Sequence, residues 1–245
     1  MVKYFIKGRM KFMSENKVEK PVKINLETFD EETLQDTYHL IRHINHYVGS
    51  ARLSLLHLEH FSKKWKKNER INILDVGSGT SGIPEAIANW TLDKNFRISV
   101  TGTDTDLKAL TPFQRNMQGY KEINLIQCRS PQFPFRDQSF DYVISSTFFH
   151  QLANREAVET LRSFDRIAKR GMIITDFLKR ESALTGLATI ALLSQNLTIQ
   201  NTSLFSVDRG FRRYEIETIL TQSRLDYLFF TEHTEHQFAV VGEKK

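Results

Sequence analysis

The chain has 245 residues, 40% of them hydrophobic, with a formal net charge of +5 and one cysteine, Cys128. That length can bury a full α/β core without metals, a single cysteine excludes an internal disulfide, and no apolar run approaches the ~18 residues needed to cross a bilayer. No secretory signal layout is visible, so a cytoplasmic location is expected, and the mild, dispersed charge argues for solubility rather than a nucleic-acid partner.

Residues 1–18 mix Lys3, Lys7, Arg9 and Lys11 with Tyr4, Phe5, Ile6 and Phe12 without a clean period. They read as a disordered leader, with a lid or a membrane-touching surface as alternatives, and Met10 or Met13 could replace Met1 as the start. Beyond Glu31, Leu34, Tyr38, Ile41, Ile44 and Tyr47 recur at three- and four-residue steps, and Leu53, Leu56, Leu58 and Phe61 resume after Gly49. Two helices packed on a sheet are predicted, with residues 19–69 as an N-terminal helical cap. His43 and Asn45 lie just before the break, either at a hydrated helix end or facing a substrate. Lys63, Lys64, Lys66 and Lys67 follow the second helix, where cations favour its dipole.

The stretch Ile71-Asn72-Ile73-Leu74-Asp75-Val76-Gly77-Ser78-Gly79 is a buried strand breaking into a tight glycine turn, and Pro84 suits the first turn of the next helix. Such a turn lets a ligand lie against bare backbone. An acid two residues before the first glycine would face the pyrophosphate of a dinucleotide unfavourably, whereas a cationic ligand would welcome it. The Asp75-x-Gly77-x-Gly79 pattern resembles motif I of the class I S-adenosylmethionine-dependent methyltransferases, in which Ser81 stands where a third glycine is common and Gly82 comes one residue late. The resemblance implies an α/β fold, a Rossmann-like seven-stranded sheet, with Asp75, Gly77, Ser78 and Gly79 around S-adenosylmethionine and no metal.

A second strand, Phe96 to Asp104, ends in an acid able to accept both ribose hydroxyls, which serves any adenosine ligand, with Thr105 beside it; Asp106 reads as the cap of the next helix. Ile123 to Cys128 is a third strand. Phe133-Pro134-Phe135-Arg136-Asp137-Gln138-Ser139-Phe140-Asp141-Tyr142-Val143-Ile144-Ser145-Ser146 resembles the segment of these enzymes that runs from the adenine pocket into the fourth strand, placing Ser145 near the cofactor. Arg129 departs from the family, which has an acid there for the adenine amino group. A guanidinium has no acceptor, so Arg129 is expected to stack on the ring while the Ser130 N–H reaches it.

The fourth strand leads into Phe148-Phe149-His150 without the Asn/Asp-Pro-Pro-aromatic tetrad of base-amine methyltransferases. His150 reads either as a general base for a substrate proton or as a packing and capping residue. Ala153 to Ala168 is an amphipathic helix that Gly171 is expected to stop, and Met172 to Thr175 is a fifth strand. Asp176 follows at its carboxyl end, as a catalytic or substrate contact or as a local cap. An apolar helix over Ala183 to Ser194 precedes a polar stretch to Arg213. Together with Asp176, Lys179 and Arg180, this stretch is similar to the substrate wall of bacterial small-molecule methyltransferases related to the ubiquinone/menaquinone C-methyltransferases. Phe149, Arg180, Ser206 and Arg209 are the expected substrate residues. Tyr214 to Ser223 is a last helix, and Leu225 to Thr231 with Gln237 to Val241 an antiparallel hairpin.

These readings place residues 70–245 in a methyltransferase domain that moves a methyl group to oxygen or carbon of a small, aromatic or polyketide-like molecule. An RNA methyltransferase and a non-catalytic S-adenosylmethionine-binding protein are the alternatives.

Overall fold

The computed structural model describes residues 4–6, 9–11, 30, 32, 35–36, 39, 49–79, 82–92, 94, 96–106, 109–111, 119–179, 209–234 and 236–245. Within the expected leader, β1 (Tyr4–Ile6) pairs antiparallel with β2 (Arg9–Lys11). Helix α1 (Ser50–Ser62) begins after Gly49, whose φ of 80° a side chain would strain, so the break read in the sequence is real. There follow β3 (Arg70–Val76), α2 (Ile83–Thr91), β4 (Arg97–Asp104), β5 (Ile123–Gln127), β6 (Phe140–Ser146) and α3 (Asn154–Ile167). The chain closes with β7 (Ala168–Phe177), α4 (Arg213–Ser223), β8 (Phe229–Thr234) and β9 (Gln237–Glu243).

Seven strands form one sheet in the order β5-β4-β3-β6-β7-β9-β8, in which β9 runs antiparallel to both neighbours and the other pairings are parallel. Side chains alternate across it, as a strand's twofold period demands. Tyr142, Ile144 and Ile173 join Leu58, Phe61, Trp65, Ile83 and Ile87 under α1 and α2, whereas Val143, Met172 and Ile174 pack with Leu161, Phe164, Ile216 and Ile219 under α3 and α4. Helix α1, which a boundary at residue 69 assigns to the cap, therefore contributes Leu58 and Phe61 to the sheet's own core.

One sequence expectation is corrected. Gly171 does not stop the preceding helix: α3 ends at Ile167 and β7 begins at Ala168 without a loop, leaving Gly171 inside the strand. Its lack of a side chain has another cause, since a Cβ there would collide with the carbonyl oxygen of Gly242 on β9. The expected helix over Ala183 to Ser194 lies outside the described residues.

Strand order reverses at β3, where β4 and β6 lie on opposite sides. Open α/β sheets leave a crevice beyond the carboxyl ends of their strands at such a point.

Candidate active site

Two segments meet in that crevice. The turn after β3 is held down by Thr103 at the end of β4, whose carbonyl accepts the N–H groups of both Gly77 and Ser78 at 2.9 Å. Buried Asp75 accepts the Ser78 hydroxyl on Oδ2 at 2.6 Å, and the Ser78 oxygen in turn accepts the Thr103 N–H at 3.0 Å. At least one oxygen of the Asp75 carboxylate thus shapes the turn. The two glycines of the turn leave no room for a side chain. A Cβ on Gly77 would stand 2.7 Å from the Phe148 ring, and one on Gly79 would stand 3.0 Å from Oδ2 of Asp104. Asp104 ends β4 with Oδ1 accepting the Asp106 N–H at 3.1 Å, so its carboxylate is fixed beside Gly79 and Thr105 follows it at the same edge.

Ser145 sits beneath this turn, its hydroxyl donating to the Val76 carbonyl at 2.9 Å and tying β6 to β3. Ser130 is buried with its Oγ 2.8 Å from Thr160 Oγ1 of α3, while the Arg129 side chain is exposed. Residues that the sequence reading did not single out complete this edge. Phe148 covers Gly77, Thr103 anchors the turn, and the buried hydroxyls of Ser54, Thr175 and Ser146 form a chain with links of 3.0 and 2.9 Å. Apart from Ser54, which lies on α1, their signal in sequence was only their place at or just past strand ends.

Next to the turn, the structure brings together two residues that the sequence keeps 26 apart. Ser146 pairs with Thr175 in the β6–β7 ladder, so the short turn Phe149–Gln151 after β6 lies over Asp176 near the end of β7. The backbone N–H of His150 donates to Asp176 Oδ2 at 2.8 Å, and its Nδ1 lies 2.8 Å from Oδ1. Oδ1 also accepts the Phe177 N–H at 2.8 Å. Two backbone N–H groups aimed at one buried carboxyl suit a carboxylate, which accepts and never donates. Nδ1 of His150 must therefore carry the proton, leaving the lone pair on Nε2. None of the described residues hydrogen-bonds to that atom.

Arg209, expected to face substrate, is buried and donates through Nε to the His150 carbonyl at 3.2 Å. Phe149, also expected on the substrate side, is instead 4% exposed and packs edge-on against Phe164 in the core. In so short a turn, the sequence pattern did not decide which of two adjacent phenylalanines would face inward. His43, Asn45, Arg180 and Ser206 lie outside the described residues.

Residues 73–171 match the family model of the methyltransferase domain. No curated protein matches the sequence. The fold is similar to that of an S-adenosylmethionine-dependent methyltransferase from Aquifex aeolicus, with a TM-score of 0.55 and 17% identity over 88% of this chain and 99% of that one. A Methanococcus maripaludis protein described as an S-adenosyl-L-methionine-dependent methyltransferase gives 0.59 and 17%, covering 96% and 98%. The CMeT domain of the citrinin polyketide synthase gives 0.56 and 14%, covering 75% and 49%. The cofactor of this fold is S-adenosylmethionine, and the residues present fit it: a glycine turn curls beside a fixed carboxylate at the close of the second strand of the main sheet, with Gly79 against Asp104. Family model, strand order and glycine turn agree: residues 73–171 match a methyltransferase domain, and the seven-stranded sheet around them has the class I methyltransferase fold.

Proposed function

We propose that the enzyme methylates oxygen or an acidic carbon of a small molecule, and that His150 removes the acceptor's proton. The observation that carries this reading is the His150–Asp176 pair at the carboxyl edge of β6 and β7. A buried carboxylate on Nδ1 orients the imidazole, fixes its tautomer and stabilises the imidazolium formed when Nε2 takes a proton. Arg209 at the His150 carbonyl holds the same turn from the other side.

The cofactor, when bound, supplies an electrophilic methyl group on a sulfonium. Gly77, Ser78 and Gly79 would receive it along the backbone, Asp104 would accept the ribose hydroxyls, and Thr105, Ser130 and Ser145 would border it, with Arg129 over the adenine and Asp75 bracing the turn. The rest of the protein's work is to align acceptor and methyl group and to exclude water. The acceptor on this reading is aromatic or polyketide-like, as in the quinone C-methyltransferases that the 176–213 stretch resembles, and the chain ahead of Ser50 caps it, with His43 and Asn45 facing inward. Arg180, Ser206 and Arg209 would form the wall, with Phe149 supporting it from the core. Among the described residues no helix is long and apolar enough to cross a membrane, which accords with action on a dissolved substrate.

Calorimetric titration with S-adenosylmethionine tests the first half of the reading, and saturable binding is expected. Labelled methyl transfer to a panel of phenols and β-keto thioesters tests the second. Activity that survives His150→Ala and Asp176→Asn unchanged would overturn the base assignment.

A further inference from the structure

On the far side of the sheet, helix α1 and edge strand β8 meet through two imidazoles. His57 Nε2 lies 2.9 Å from His233 Nε2, with the rings edge-on at 87° and their centroids 4.8 Å apart. Thr231 Oγ1 stands 3.1 Å from the same His233 nitrogen. A ring nitrogen offers one in-plane lone pair or one N–H, so His233 Nε2 fully serves one of these two partners in either tautomer. The Thr231 hydroxyl can also donate to the Ala239 carbonyl at 3.4 Å, so two imidazole nitrogens and one hydroxyl oxygen converge at the exposed end of the edge strand.

A metal ion answers that geometry. Two metal–imidazole bonds of about 2.0–2.1 Å at a right angle bring the nitrogens to about 2.9 Å, whereas a tetrahedral angle spreads them to about 3.3–3.4 Å. Right-angled coordination by nitrogen and oxygen is the habit of nickel(II) and copper(II). We propose that His57 and His233 form a chelating site for a divalent ion of that kind, clasping α1 to the edge strand.

Ligation requires unprotonated imidazole, and the surroundings supply it. Partial burial, with the neighbouring His233 and His60 adding to it, lowers the His57 pKa to about 4, and burial lowers that of His233 as well. His233 remains exposed, which leaves the ion a way in. Among the described residues no three His, Cys, Asp or Glu side chains gather into a metal cluster, so water would complete the coordination shell of an ion held by these two rings. The site is separate from the His150–Asp176 pair and does not depend on the proposed reaction.

Titration of the tag-free chain with nickel chloride in a calorimeter is expected to show one saturable site of micromolar affinity. His57→Gln and His233→Gln should each weaken it by about 10-fold or more through loss of one of two ligands, with His60→Gln as the unaffected control. Nickel should also raise the melting temperature of the wild type and leave that of His233→Gln unchanged. Copper(II) electron paramagnetic resonance on the wild type needs no variant, and a two-nitrogen coupling pattern is expected. Absence of saturable nickel binding, binding that survives both substitutions, or coupling to fewer than two nitrogens would overturn the proposal.

Discussion

At the amino-terminal edge of the sheet, Arg170 pairs with Glu69 at 2.6 Å and Asp141 at 2.9 Å, and the second oxygen of Asp141 accepts the Asn72 N–H at 2.9 Å. Alongside, Trp65 Nε1 donates to the Tyr142 hydroxyl at 2.9 Å, Tyr142 donates to Glu243 at 2.8 Å, and Lys64 closes the chain on Glu243. Burial pushes the Tyr142 hydroxyl far above its usual range, so it stays a donor. The carboxyl edge uses similar side chains to another end. Asp176 accepts the backbone N–H groups of His150 and Phe177 and meets His150 Nδ1, so one buried carboxylate holds the turn by backbone and ring together. One edge ties charged groups from distant strands to one another, which favours stability; the other ties a single short turn to one buried carboxylate, where the proposed base would stand.

The largest effect that would break this contrast is at His150. His150→Ala is expected to lower turnover by about 10²–10⁴-fold while S-adenosylmethionine affinity stays within about 0.5 kcal/mol, as at a site making no direct contact. The loss should be smaller for a carbon acceptor that is already ionised, which needs no base. Weakened cofactor binding with intact chemistry would place His150 on the wrong side of the crevice.

Asp104→Ala comes next, with an expected loss of about 2–4 kcal/mol in cofactor binding by calorimetry, since two charge-assisted hydrogen bonds would go. Unchanged affinity would show that the ribose lies elsewhere.

At the opposite edge, Arg170→Met should cost stability and not affinity. It leaves Asp141, whose side chain is 9% exposed, without its cation. Denaturant unfolding should show a loss of about 2–3 kcal/mol, at or below the usual range for a broken buried pair because Arg170 is itself partly hydrated. A matching loss of cofactor affinity would mean the two edges are not independent.

Smallest is a pH effect at Glu69, whose carboxyl is held below its usual 4.5 by the hydrogen bond from Arg170, with the Lys66 N–H adding to it. A pKa depressed in the folded state contributes stability above the unfolded value and loses it as pH falls through the folded one. Glu69→Gln should therefore flatten the stability curve below about pH 4.5 and leave it unaltered in slope near neutrality. An unchanged acid limb would show that the pair is screened by solvent.

Most of the sheet was readable because local pattern and global position agree there. Ile71, Ile73, Leu74 and Val76 form a mostly apolar run that ends in a glycine turn, and Asp104 closes an alternating strand; both strands stand within one residue of the expected starts. Gly171 misled because glycine after a helix commonly marks its end, and here a neighbouring backbone explains it instead. His150 and Asp176 were each recognisable as an odd polar residue at a strand end. Their partnership was not, because it depends on the pairing register of β6 and β7. The contact of Arg209 with the His150 carbonyl and the approach of His57 to His233 likewise arise from packing between distant segments, which no local periodicity encodes.

The ring of Phe148 against Gly77 has a mechanical consequence. Gly77 belongs to the turn that would receive the cofactor, and Phe148 is two residues from His150, so a bulge in the first displaces the second. Damage at the two places is then epistatic. Gly77→Ala should lower turnover beyond what its weakened cofactor binding explains, and combining it with His150→Ala should cost less than the sum of the separate losses, the signature of a shared element in a double-mutant cycle. Sequence drift at either position is consequently constrained by the other, although 73 residues separate them in the chain.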